Sequence, residues 1–168
     1  MKEYVDLWSQ AGYILERLGK GVLLTTAAEG KTNTMTIGWG TLGIQWGKPI
    51  FIAFVRESRY TKELLEKNPE FTVNIPYGET AKEILGICGT RSGRDMDKFR
   101  ELNLNREPGE TVSVPGIREL PLTLECKVIY QQDQAPEAIC PEAMTRYYKE
   151  GDFHTAYYGQ VTAAYIIK

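Results

Sequence analysis

A chain of 168 residues, 42% hydrophobic and 25% charged, is long enough to bury a core of its own and too short for two ordinary domains, so a single domain over 1–168 is expected. Twenty basic residues against 22 acidic ones leave a net charge of −2, which gives no global field for a polyanion and disfavours nucleic acid as a partner. No apolar run approaches the roughly 20 residues of a membrane span, so no membrane association is expected.

Residues Met1 to Gln10 carry charges at Lys2, Glu3 and Asp6 and contain no apolar h-region, so the expected location is cytoplasmic. Leu7, Ala11, Ile14, Leu15 and Leu18 recur at spacings of three and four and are followed by Gly19, which predicts a helix over 7–18. Val22 to Ala28 reads as a strand, Glu29 to Lys31 as a turn, and Thr34 to Trp39 as a returning strand that opens into a glycine-rich loop. Ile50 to Val55 is a continuous apolar run, expected as a central strand buried on both faces. Tyr60 to Lys67 has helical character and stops at Asn68-Pro69, after which Phe71 to Ile75 resumes as a strand.

Thr80 to Glu83 fits a capping box at the start of a helix with Ile84, Leu85, Ile87 and Cys88 on its apolar side. Asp95 is expected to cap a second short helix, leaving Lys98 free to face elsewhere. Glu107 to Leu120 reads as an ordered surface connection. Strict alternation from Leu122 to Gln131 then predicts a strand with Leu122, Leu124, Cys126 and Val128 inward and Thr123, Glu125 and Lys127 mostly opposite. Cys126 on that apolar face is expected as a small core residue. Pro141 to Lys149 suits a short helix, and His154 to Ile167 a long last strand with a bulge at Gly159. Strands, inserted helices and strands again, without regular β-α-β alternation, point to a mainly β fold: an antiparallel, closed or nearly closed barrel with accessory helices.

Three cysteines, at 88, 126 and 140, are odd in number and widely spaced, which argues against a disulfide framework. With His154 as the only histidine, no metal site is expected. Gly38-Trp-Gly40-Thr-Leu-Gly43 matches a dinucleotide fingerprint formally, but two more residues of loop character, Gly47 and Pro49, follow it and no helix does. Thr34 and Thr36 offer hydroxyls, Met35 is adaptable, and Trp39 and Trp46 are able to cover a flat ring. The same composition equally suits a sharp hairpin end with partly buried tryptophans.

Arg56-Glu57-Ser58-Arg59-Tyr60-Thr61 lies between a strand and a helix, where free amides and the helix dipole favour a phosphate. Ser58 and Thr61 add hydroxyls and Arg56 a forked cation. A capped helix with solvated arginines accounts for the same residues taken singly. Gly89 to Asp95, with Ser92, Arg94 and Lys98, repeats that chemistry, and two such loops in one small protein favour a phosphorylated ligand.

Taken together these residues resemble the flavin reductase-like domain of the FMN-binding split barrels, which includes flavoredoxin-type proteins. The resemblance rests on Asn33-x-Met35-Thr36-Ile37-Gly38-Trp39, Arg56-x-Ser58-Arg59-Tyr60-Thr61, Phe71-Thr72-Val73-Asn74, Cys88-Gly89-x-x-Ser92-Gly93-Arg94-Asp95-x-x-Lys98-Phe99, and His154 with Gly159-x-Val161. It implies a split β-barrel homodimer with FMN near the subunit interface. The flavin phosphate would lie toward Ser58 and Thr61, the isoalloxazine edge along Thr34 to Thr36, with Asn33 also cofactor-binding and Ser92, Arg94 and Lys98 close by, and with the 89–98 loop contributed from the same or the partner subunit. The implied activity is an NAD(P)H:flavin reductase, using NADH or NADPH and serving a monooxygenase or another redox protein, with His154 as the candidate catalytic residue. A flavoredoxin-like electron carrier and a non-catalytic FMN-binding module are the alternatives.

Overall fold

The computed structural model describes residues 1–78 and 81–168. A short strand β1 (Lys2–Tyr4) leads into helix α1 (Leu7–Leu18), which Asp6 caps by accepting from the Ser9 amide at 2.8 Å. The three-and-four spacing buries Leu7, Ile14 and Leu18. Strands β2 (Val22–Ala28) and β3 (Lys31–Ile37) form the expected hairpin, with Glu29 and Gly30 at φ of +51° and +76° in a turn whose twist matches the strands.

A second hairpin replaces the glycine-rich loop expected after Trp39. It consists of β4 (Gly40–Gln45) and β5 (Lys48–Arg56), turning at Trp46 and Gly47 with φ of +52° and +68°. Gly40 belongs to the ladder because it has no side chain: a Cβ there would lie 2.9 Å from Phe51 Cζ and 3.1 Å from the Ile52 carbonyl oxygen. Helix α2 (Tyr60–Lys67) and strand β6 (Glu70–Ile75) follow as expected. Helix α3 (Lys82–Thr90) comes next, and the Thr80 end of the expected capping box lies outside the described residues. Helix α4 (Lys98–Glu101) is capped by Asp97, not Asp95: its carboxylate accepts from the amides of Phe99 and Arg100 at 3.1 and 3.2 Å.

The connection that follows carries a small ladder of its own, β7 (Arg106–Glu107) with β8 (Gly116–Ile117). It leads to β9 (Leu122–Asp133), helix α5 (Pro141–Tyr147) and the long strand β10 (His154–Ile167). The main sheet is antiparallel and runs β3-β2-β6-β9-β10-β5-β4, with β1 added to the far end of β10. Its two edges, β3 and β4, are consecutive in the chain and joined only through Gly38 and Trp39. The sheet must therefore curl to bring its ends together, and it remains unpaired between them: an antiparallel barrel with a split.

Phe51, Phe71, Val73, Leu124, Cys126 and Tyr157 fill the interior, and α1 seals one end with Ile14 and Leu18. Cys126 is a core residue as expected, and the ladder shifts register between Tyr158 and Gly159. A Cβ on Gly159 would lie 2.4 Å from Phe71 Cζ, so the bulge also makes room for that ring. Two expectations about burial fail. β5 stands next to an edge and alternates, with Phe51, Ala53 and Val55 fully buried while Ile52 and Phe54 are only partly so. Thr123 and Glu125 are buried as completely as the apolar face, because the connection before β9 folds back over them. The Glu125 carboxylate accepts from the amides of Glu110 and Thr111 at 2.8 and 2.7 Å and from Tyr165 Oη at 2.7 Å. Burial works against its charge, and these donors together with the Thr111 hydroxyl outweigh it and hold the carboxyl below its ordinary range.

Candidate functional site

The split between β3 and β4 opens onto a groove built in two connected parts. The first is a cavity of about 270 Å3 between β3, the start of α2 and the loop from α3 to α4. Asn33, Met35 and Thr36 form its floor, Ser58 to Thr61 one wall, and Cys88 to Asp95 the other. The loop is pressed onto the strand. A Cβ on Gly93 would lie 2.1 Å from Asn33 Oδ1, and Asn33 itself donates to Thr61 Oγ1 at 3.2 Å. Lys98 anchors the loop from below, 3% exposed, donating to the carbonyls of Thr34 and Cys88 at 2.8 and 3.0 Å. Burial lowers its pKa, and lowers the reactivity of Cys88 too by raising that thiol.

Two cations in this cavity remain available. The guanidinium groups of Arg59 and Arg91 make no hydrogen bond or ion pair among the described residues, and both are exposed to the cavity. No side chain caps α2, whose first amides open at the same place. Arg94, by contrast, is engaged with Glu63 and with the Ser58 carbonyl, the latter at 3.0 Å. Ser58 is engaged too: its amide and hydroxyl donate to the Asp152 carboxylate at 2.9 and 2.7 Å. These bonds overcome the burial of Asp152, and with Arg56 and Arg59 nearby they hold its carboxyl below the ordinary range. Arg56 spans to the same loop, donating to the carbonyls of Asp152 and Tyr147 at 2.8 and 3.2 Å.

The second part continues along β3 past Met35, Thr36 and Arg59 to Gly38, Trp39, Phe54 and His154, and ends in a recess reaching Gln134 and Tyr148. It is flat and aromatic. Trp39 lies 44% exposed, edge-on to Tyr147 at 5.0 Å between ring centroids and tilted over His154 at 5.2 Å. His154 Nδ1 meets Tyr148 Oη at 2.8 Å. Burial and the Arg56 guanidinium push the imidazole down to about 4 against the pull of Asp152, so His154 is neutral at pH 7 and is no imidazolium acid there.

A cationic, amide-lined pocket joined to a flat aromatic shelf is a shape for a phosphate on a ring system. The family model described as "Flavin reductase like domain" matches residues 15–168. The chain belongs to the flavin reductase-like family. Flavoredoxin from Methanosarcina acetivorans is 28% identical, with a TM-score of 0.67 over 88% of this chain and 68% of that one. The FMN-binding domain of a flavin reductases-like enzyme from Shewanella baltica OS155 is 20% identical and shares the fold, with a TM-score of 0.68 over 99% of this chain and 77% of that one. An uncharacterized protein of Archaeoglobus fulgidus is 32% identical over 99 residues, 59% of this chain, and the chain spans only about half of that relative, 55%.

Of the residues singled out in this flavin reductase-like chain, Asn33, Met35, Thr36, Ser58, Thr61, Ser92, Arg94 and Lys98 line the first part of the groove, and Trp39, Arg56 and His154 the second. Three readings need correction. Thr34 lines neither part, because its hydroxyl turns inward to Thr25 Oγ1 at 3.0 Å and only its carbonyl serves the site, through Lys98. Lys98 is not free. Trp46 sits on the far hairpin turn, 63% exposed and edge-on to Tyr130, away from the groove. The readings passed over Gln134, Tyr148 and Asp152, which belong to no local motif. Only the register of β9 with β10, Asp133 opposite Thr155, would have put Gln134 beside His154.

Proposed function

We propose that this protein is an FMN-dependent oxidoreductase of the NAD(P)H:flavin reductase type. The observation that carries the reading is the continuity of the groove: free cations and an uncapped helix start at one end, an aromatic shelf in the middle, and a recess beyond it with room for a second planar molecule. Arg59 and Arg91 would neutralise a phosphate, and Met35, Thr36 and Trp39 would bed the ring. Bound FMN supplies the hydride and electron chemistry. The chain's own part is to hold, orient and shield it. The printed names of the Methanosarcina and Shewanella neighbours support the flavin, and the recess beside His154 supports a nicotinamide partner.

Absorbance and fluorescence titration with FMN, followed by NADH and NADPH oxidation with and without it, test this reading. Arg59→Gln is expected to weaken FMN roughly 10- to 100-fold, the loss of a hydrogen bond to a charged group. Ser58→Ala should change it far less, because Asp152 already holds that hydroxyl. Equal effects of the two would sink this placement of the phosphate.

A second reading, a flavoredoxin-like carrier fed by a protein partner, is favoured by the exposure of Trp39 at the ring end. Tight flavin without NAD(P)H turnover would select it, and absence of any FMN affinity would leave only a binding module for another ligand. In the reductase reading, reduced flavin passes to a monooxygenase or a soluble acceptor, and the three free cysteines suit a cytoplasmic setting. We also infer a homodimer, supported by the exposed Ile44 on edge strand β4, by exposed Trp46 on the turn that follows it, and by Tyr130, which meets Trp46 edge-on.

A further inference from the structure

The hydrogen bonds around His154 have one consistent direction. Its backbone N–H, which can only donate, meets Gln134 Oε1 at 2.8 Å and so fixes which way that amide points. Gln134 Nε2 then faces Tyr148 Oη at 3.0 Å and donates to it. With its oxygen accepting from Gln134, buried Tyr148 has His154 Nδ1 as the acceptor within reach of its own proton, at 2.8 Å. The reverse arrangement, with Nδ1 donating, would leave the phenolic proton with no acceptor among the described residues. Nδ1 is therefore bare and Nε2 carries the hydrogen.

Nε2 has no partner among the described residues, yet it is not a sealed orphan. The buried side-chain nitrogen and oxygen atoms without a partner among those residues are Arg17 Nε and Thr26 Oγ1. His154 lines both the shelf and the recess, so the Nε2–H opens onto them. We propose that Gln134 and Tyr148 act as positioning residues that lock His154 as the neutral Nε2–H tautomer and present this one N–H, beside Trp39, to the carboxamide oxygen of a nicotinamide. The ligand in this proposal rests on the reductase reading; the tautomer does not.

His154 is the only histidine, so a two-bond 1H–15N correlation spectrum of histidine-labelled protein reads its tautomer without overlap. The expected wild-type spectrum at pH 7 has a protonated Nε2 and a bare Nδ1. Gln134→Glu is the informative variant. An ionised carboxylate only accepts, so Tyr148 must donate to it and Nδ1 must donate to Tyr148, reversing the tautomer. A wild-type Nδ1–H, or an unchanged tautomer in Gln134→Glu, overturns the relay. Tyr148→Phe keeps the ring that stacks on Phe153 at 5.2 Å and removes only the hydroxyl, giving a second variant expected to fold. Both variants should raise KM for NADH or NADPH roughly three- to tenfold, with kcat and FMN affinity little changed. An unchanged KM overturns the assigned ligand. Wild-type protein that loads FMN but does not oxidise NAD(P)H overturns that ligand together with the reductase reading, whereas the spectrum still decides the relay.

Discussion

At the residue scale, the burial of neutral His154 ties stability to pH. The unfolded chain takes up a proton at this side chain near pH 6.5, whereas the folded protein resists until about 4, because of burial and the nearby Arg56 and Arg59 and in spite of Asp152. The contribution is complete above pH 6.5 and is lost as pH falls from 6.5 to about 4. It amounts to roughly 3 kcal/mol in full and roughly 2 kcal/mol by pH 5. Denaturant unfolding at pH 7 and pH 5 should therefore show wild type losing about that much more than His154→Asn. Parallel losses in the two proteins would contradict it. The same scale shows what residue identity conceals. Thr34 and Thr36 are alike in the sequence, but one hydroxyl is spent on Thr25 and the other on the Leu85 carbonyl at 2.6 Å, and no local pattern distinguishes them.

Among the elements, α1 and α2 are readable in the sequence because each buries one face with a helical period, the β2–β3 hairpin because an apolar run meets a Glu-Gly turn, and β10 from its long β-forming run. β9 is misread on its second face because Thr123 and Glu125 are polar and become buried only when the irregular connection before the strand, at Glu110 and Thr111, folds back on Glu125. β4 is misread because a strand of Gly, Thr and Gly looks like a loop until Phe51 is seen to need the space. The cationic end of the groove is legible for a physical reason: loops that run into helix starts carry free amides, and the sequence marks them with Ser, Thr and Arg. The aromatic recess has no such mark, since Trp39, Phe54 on β5, His154 on β10 and the residues just past β9 and α5, Gln134 and Tyr148, supply it jointly. The loop from α3 to α4 offers a test at this scale. Gly93→Ala would set a methyl 2.1 Å from Asn33 Oδ1 and 2.8 Å from Tyr60 Cδ1. Asn33 cannot yield without losing Thr61, so the loop must lift. FMN affinity should fall about tenfold or more, while the unfolding midpoint moves little. Retained affinity would show that the loop does not close the pocket.

For the molecule as a whole, the exposed edge needs a cover. Ile44 near the end of β4 and Trp46 on the turn after it are 70% and 63% exposed; Trp46 meets Tyr130 edge-on, and Tyr130 in turn meets Tyr158 edge-on at 5.0 Å. Within one subunit Trp46→Glu removes only the edge-on contact with Tyr130, so in sedimentation velocity it should raise the dissociation constant of the proposed homodimer more than about tenfold without unfolding the chain. A wild-type monomer at micromolar concentration would refute the homodimer. The split itself has a further consequence. Ile37 is the last paired residue of one edge and Gly40 the first of the other, so the rims of the opening are tethered by a chain that reaches at most about 10 Å. The barrel cannot gape there to admit a thicker guest. Any adaptation to different ring systems falls to the two side walls, the 89–97 and 147–153 segments, which makes this a slot of fixed gauge with adjustable jaws.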